Sequence, residues 1–236
     1  MKTGSARGLG AVALTALMLA QPARAEDAKP AAPSAGTGWS AEIAPSANRG
    51  ITLDESQVTV VKAVSDYFNA LNTLKGSFVQ TTSDQKRMKG KFTLMRPGKF
   101  RFDYARPSRQ IIISDGEYLA IQDLDLNNED RIALDQTPFR LLLRKNVDLL
   151  KDAQIMEVQQ AEDLMVVALQ DKSPDTPGRI KVYLSTKPEL ELKEWVTTDA
   201  QGLDTRVEIA NAVKGEKLDA ALFKIQGVSN NPLARP

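Results

Sequence analysis

Neither cysteine nor histidine occurs anywhere in the 236 residues. Without cysteine there is no disulfide framework, and no N-terminal cysteine to carry a lipid. Without histidine, Ser-His-Asp and Cys-His nucleophile systems and His- or Cys-ligated zinc cannot be assembled. No Walker or GxGxxG sequence follows a strand pattern. An enzyme would be left with carboxylate, lysine, tyrosine or serine chemistry, and Asp/Glu pairs are too frequent here to single out a site. The expectation is a non-enzymatic protein with no metal and no cofactor.

A strong charge of either sign is also missing, since Lys and Arg total 31 against 30 acids. The single long apolar run, "LGAVALTALMLA", falls short of the roughly 20 residues a membrane-spanning helix needs. It follows Lys2 and Arg7 and precedes "QPARA", which sets Ala23 and Ala25 in a small-residue cleavage pattern before Glu26. This predicts a cleavable secretory leader over residues 1–25 and a mature protein exported most simply to a bacterial periplasm. Removing Lys2, Arg7 and Arg24 from the 31 leaves 28 cations against 30 acids, a net charge of −2. A nucleic-acid partner is not expected, because such binding needs a net or local cationic field.

What is present is 42% apolar residues, enough for a sizeable core. Residues 26–50, rich in Ala, Pro, Ser and Gly, read as a flexible arm. The folded domain is expected over 51–229 and a short tail over 230–236. A helix opens the domain: Asp54 as N-cap with Gln57 three residues on, then Val58, Val61, Val64, Phe68 and Leu71 at helical spacing. Beyond it the period changes to two. From "GSFVQTTS" to "LDTRVEIANAV", about eleven short alternating segments are separated by Gly, Pro, Asp or Asn, the pattern of consecutive antiparallel strands. So many strands in a row predict a mainly β fold, a large curved sheet or barrel. One interruption, "DQTPFRLLLRKN", predicts a short helix with Thr137 as cap, Pro138 at the first helical position, and Phe139, Leu142 and Leu143 as an apolar face.

The stretch "LMRPGKFRFDY", Leu94–Tyr104, holds the most informative pattern. Phe100, Phe102 and Tyr104 alternate with Lys99, Arg101 and Asp103, so one strand face is aromatic and the other charged. Lys99 and Arg101 read as a solvated outer row. The aromatic row is either an ordinary core stripe or the wall of a cavity inside a rolled sheet. Phe92, Leu94 and Arg96 share a face, which points Arg96 inward at a strand end. Its guanidinium then either reaches solvent at the rim or donates to backbone carbonyls at a helix C-terminus or loop, as a latch between barrel and lid. Asp115 in "ISDGEYL" and the tip "TDAQGLDT" read as hairpin turns.

"GKFTLMRPGKFRFDYARPSRQIIISDGEYL", followed by an acidic strand and "TPFRLLL", resembles the periplasmic lipoprotein carriers of the LolA family from about Leu71 to Phe223. The resemblance implies an unclosed antiparallel β-barrel of about eleven strands with an α-helical lid over a hydrophobic cavity. It implies a monomeric chaperone for lipoprotein acyl chains, loaded by an inner-membrane ATP-driven transporter and unloaded to an outer-membrane acceptor where one exists. The arginine of the family's RP motif, which secures the lid, corresponds to Arg96. The residues that would line the cavity are Phe78, Phe92, Leu94, Phe100, Phe102 and Tyr104, with Phe139, Leu142 and Leu143 from the lid. The chain departs from the family where it has Phe102 in place of tryptophan, and Ala120, Ile121 and Gln122 in place of an aromatic cluster. That departure implies a less aromatic wall. A carrier of another lipid, or a stress-sensing regulatory domain of the same architecture, are the alternative readings.

Overall fold

The computed structural model of the protein describes residues 50–228. The expected leader, the expected tail and all of the expected arm except Gly50 lie outside the described residues. Helix α1 (Glu55–Ala70) begins at the anticipated box: the Gln57 amide donates to the Asp54 carboxylate at 2.8 Å, and Gln57 Oε1 accepts from the Asp54 amide at 3.1 Å. Its buried stripe is Val60, Val61, Val64, Ser65 and Phe68, so Val60 and Ser65 join the expected face and Val58 sits at its margin.

Each alternating segment becomes a strand. They are β1 (Thr73–Thr81), β2 (Arg87–Met95), β3 (Lys99–Tyr104), β4 (Gln110–Asp115), β5 (Tyr118–Asp123), β6 (Asn128–Ala133), β7 (Ala153–Gln160), β8 (Leu164–Asp171), β9 (Arg179–Ser185), β10 (Glu191–Thr198) and β11 (Asp204–Lys214). All belong to one antiparallel sheet in the order β6-β5-β4-β3-β2-β1-β11-β10-β9-β8-β7. Two meanders, β1–β6 and β7–β11, are therefore joined side by side through β1 and β11. The sheet's edges are β6 and β7, and the chain between them carries a 3₁₀ turn (Leu134–Gln136) and the short helices α2 (Arg140–Leu143) and α3 (Leu149–Asp152). That linker has to travel from one edge to the other.

Distance shows that the sheet is rolled. Phe102 on β3 and Trp195 on β10 are four strands apart in the sheet, which at the usual spacing of about 4.8 Å is roughly 19 Å when flat. Their ring centroids lie 5.9 Å apart, edge to face. Bulges at Lys75/Ser77, Ile155/Glu157 and Leu192/Glu194 supply local bends. Glycines supply room: Phe78 faces Gly90, and Phe92 faces Gly76, across the β1–β2 ladder. A Cβ on Gly90 would stand 2.7 Å from the Phe78 ring and 2.1 Å from the Asp103 carbonyl oxygen.

The outward face is less solvated than its charges suggest. Residues 219–228, including a 3₁₀ turn (Ala220–Phe223), lie across β3 and β4. Phe223 is buried, and Val228 and Ile225 pack with Ile111, Ile113, Ala120 and Leu124. The Arg101 guanidinium forms a fork on Asp103 at 2.7–3.0 Å and also donates to the Leu222 carbonyl at 3.5 Å. The expectation of a solvated outer row fails at Arg101, whose side chain is 19% exposed because this segment covers it. Lys99 is half-buried.

Gly90→Ala should destabilise the fold by about 1–3 kcal/mol, since β3 or the Phe78 ring must shift to admit the methyl group. Urea unfolding would measure this, and a midpoint equal to that of the wild type would contradict the packing described.

Candidate functional site

The concave face gathers the expected side chains into one apolar surface. Phe78, Phe92, Phe100 and Tyr104 are buried there, and Leu94 and Phe102 are partly buried against them. Phe102 is the hub: its ring lies 5.0 Å from Phe78, 5.8 Å from Phe92, 5.9 Å from Phe100 and 5.9 Å from Trp195. Trp195 comes from the far half of the sheet and escaped the sequence reading, because nothing local in "LELKEWVTT" says which side of a rolled sheet it meets. At the end of the row, the Tyr104 hydroxyl donates to Gln80 Oε1 at 2.5 Å, and burial raises its pKa well above the ordinary phenol value.

α1, α2 and α3 close this face. Leu141, Leu142 and Leu143 are all buried, so α2 is apolar nearly all round and Leu141 belongs with the two residues expected. Phe139 contacts Phe100 with centroids 5.6 Å apart, a direct touch between lid and wall. Thr137 does not cap α2 through its side chain. Its hydroxyl donates backward to the Leu134 carbonyl at 2.7 Å, closing the preceding 3₁₀ turn; the helix starts after Phe139 with no side-chain cap, so Pro138 precedes the cap and is not the first helical residue. Asp115 behaves as a turn residue, accepting from the amides of Glu117 and Tyr118 at 2.9 Å each.

Arg96 points inward as parity required. Its Nη2 donates to the carbonyls of Arg144 and Lys145, the latter at 3.4 Å, at the C-terminal end of α2. Two residues on, the Gly98 amide donates to the Leu143 carbonyl at 2.9 Å. The β2–β3 corner thus satisfies two successive carbonyls that the helix leaves orphaned at its end, those of Leu143 and Arg144, together with that of Lys145 just beyond the cap, and places a cation at the negative end of its dipole. Arg96 Nε is buried and meets no acceptor among the described residues, and desolvation lowers the guanidinium pKa. On the other side, Arg140 forms a fork on Asp171, with Nε to Oδ2 at 2.5 Å and Nη2 to Oδ1 at 2.7 Å. The Asp171 side chain is 0% exposed and that of Arg140 is 30% exposed.

The family described as outer membrane lipoprotein carrier protein LolA matches residues 69–226, which contain the β2–β3 corner, α2 and every strand of the sheet. The chain belongs to the LolA family. The outer-membrane lipoprotein carrier protein of Methylococcus capsulatus is 31% identical over 180 residues, covering 72% of this chain and 85% of that one. That of Halorhodospira halophila is 27% identical over 186 residues, covering 75% and 86%. A solved LolA superfamily protein from Nitrosomonas europaea is similar at 10% identity and a TM-score of 0.40, covering 70% of this chain and 97% of that chain.

Within the LolA fold, Ala120, Ile121 and Gln122 of β5 separate by face. Ile121 pairs with Ile112 on the concave side, whereas Ala120 and Gln122 point outward, where Gln122 donates to the Gln226 carbonyl at 2.5 Å. The implied thinning of the wall therefore does not arise at Ala120 or Gln122, because strand alternation gives those side chains to the C-terminal segment. A recess of about 820 Å³ lies between the β1–β2 hairpin and the outward face of β7–β11, lined among others by Arg87, Lys181, Arg206, Glu157 and Glu208. Its charges make it unsuited to hydrocarbon. No helix among the described residues is long and apolar enough to cross a membrane.

Burial works against ionised Asp171, but the Arg140 fork and the Ser173 amide outweigh it and hold its pKa below the usual carboxylate value. A depressed folded-state pKa means that the pair stabilises the fold fully above the unfolded value of about 4 and loses that contribution as pH falls through the folded value. Asp171→Asn should cost about 2–4 kcal/mol at pH 7, at the lower side for a buried pair because Arg140 is partly solvated. Thermal melts of the two proteins should converge as pH drops below about 4; a gap independent of pH would refute the assignment.

Proposed function

We propose that this chain shields the acyl chains of lipoproteins after their release from the inner membrane and carries them through the periplasm to the outer membrane. The observation that carries the reading is an apolar, aromatic concave surface closed by a lid whose helix end is held by Arg96 through hydrogen bonds to neutral carbonyls. Each buried CH2 is worth about 0.8 kcal/mol, so three acyl chains of roughly 16 carbons face a cost on the order of tens of kcal/mol in water. A container that only bound would never deliver. In the closed state the lid's own Phe139, Leu142 and Leu143 cover the surface, so cargo and lid compete for Phe78, Phe92, Leu94, Phe100, Phe102 and Tyr104.

Arg96 sets that competition. Hydrogen bonds from a cation to carbonyls stabilise the empty, closed state, and acyl chains must displace them on entry. Loading then requires an energy source, an ATP-driven transporter at the inner membrane, and unloading requires an acceptor of higher affinity at the outer membrane. The leader expected over 1–25 supports a periplasmic site of action, where the chain works as a monomer. No bond is made or broken in this cycle, which accords with a family named for carriage.

Arg96→Leu should fold normally yet keep its cargo, because the empty closed state loses its latch while the apolar surface is intact. Transfer of a triacylated lipopeptide from the loaded variant to acceptor vesicles should be slowed at least tenfold relative to wild type. Transfer at the wild-type rate would sink the latch, and native periplasmic protein that yields only free phospholipid by mass spectrometry would sink the lipoprotein cargo.

A further inference from the structure

The lid is fastened unequally on its two sides. Toward β2 and β3 it is held by Arg96 on Arg144 and Lys145, and by the Gly98 amide on Leu143. Toward β8 and β9 a six-residue segment, Asp171–Thr176, grips three successive pieces of the lid. Asp171 receives the Arg140 fork from α2. Lys172 Nζ donates to the carbonyls of Leu150 and Lys151 in the last turn of α3, at 3.2 and 2.6 Å. The Thr176 hydroxyl, on a buried residue, donates to the Asp135 carbonyl in the 3₁₀ turn at 2.9 Å.

The lid pieces are also tied to one another. Arg144 and Asp152 pair at 2.6 Å, joining the end of α2 to the end of α3. Asn69 of α1 donates to the Val147 carbonyl at 2.9 Å and accepts from its amide at 2.8 Å, and Ser65 Oγ accepts from the Leu149 amide at 3.3 Å. α1 in turn is held to the same half of the sheet, where the Leu192 amide donates to the Tyr67 hydroxyl at 3.1 Å. The helices therefore form one body whose ionic attachment is on the β8 side.

The chemistry of the two attachments differs in what release would leave behind. Parting Arg140 from Asp171 leaves a carboxylate with no solvent exposure and without its counter-ion, a costly state. Parting Arg96 from its carbonyls frees a guanidinium whose Nε has no acceptor while closed, and lets it hydrate. We propose that Asp171, Lys172 and Thr176 are positioning residues that act as the hinge anchor of the lid, so that the mouth opens along β2–β3 while the lid stays attached to β8–β9. This rests on the carrier reading only in taking the lid to be a gate.

The absence of cysteine lets single thiols be placed at will. Spin labels at Asn146→Cys in the lid with Glu117→Cys beside β4, and at Asn146→Cys with Asp175→Cys beside β8, report the two sides separately. All three positions are exposed. In the Arg96→Leu background, the 146–117 distance should shift to longer values and the 146–175 distance should stay as in wild type. Adding Asp171→Asn should lengthen 146–175 as well, and Asp171→Glu, which keeps the charge, should restore it. Lengthening of 146–175 by Arg96→Leu alone, or movement of neither distance, would overturn the hinge. Uptake of a synthetic triacylated peptide by the labelled but otherwise wild-type protein tests the carrier reading separately: its failure would remove that reading while the distances still decide the hinge.

Discussion

The structure depends on keeping one apolar surface out of water without covering it permanently. An antiparallel sheet of this length rolls far enough to bring Phe102 against Trp195, yet its edges β6 and β7 remain unjoined by strand pairing. The linker between those edges supplies α2 and α3 of the lid, so covalent connectivity itself stretches part of the cover across the concavity. Leu141, Leu142, Leu143 and Leu149 then do for the empty protein what hydrocarbon cargo would do for the loaded one. The cover must bind well enough to keep the surface dry and weakly enough to yield, and that balance falls on a few polar contacts.

Those contacts are of two chemical kinds on the two sides of the lid. At the β2–β3 corner, Arg96 and the Gly98 amide meet backbone carbonyls, each a hydrogen bond of modest net worth in exchange with water. At the end of β8, Arg140 meets a fully buried carboxylate, and removing the arginine leaves that carboxylate in a medium that cannot solvate it. The corner is suited to release and the strand end to retention. The glycine at position 98, with φ +70° and a Cβ position only 2.8 Å from the Gly116 backbone, is what lets the corner come close enough to the helix end to make its bond.

The outward face follows a separate logic. Its alternate residues would be plain solvent-facing positions in a simple sheet, but the C-terminal segment covers β3–β5 and creates a second small core around Ile111, Ile113 and Ala120. Arg101 and Asp103 become a covered pair, and Gln122 is spent on holding the segment through the Gln226 carbonyl. Ala120 and Gln122 thus answer to packing on the side of β5 opposite the concave wall.

Strand periodicity, the Asp54–Gln57 box, the Asp115 turn and the inward parity of Arg96 all rest on interactions within a few residues, or on the strict alternation of a pleated chain, and these are legible in one dimension. Resemblance added the lid and its surface. The contacts that decide how the lid is held and the sheet is covered are of another sort: Arg140 with Asp171 across 31 residues, Thr176 with Asp135 across 41, Phe102 with Trp195 across the rolled sheet, and the 3₁₀ turn Ala220–Phe223 over β3 and β4. No local pattern encodes them, because each arises only after the sheet has curled and its linker has crossed from edge to edge. The sequence by itself determined which residues face together along each strand; the curl of the sheet and the path of its edge-to-edge linker decided which faces meet.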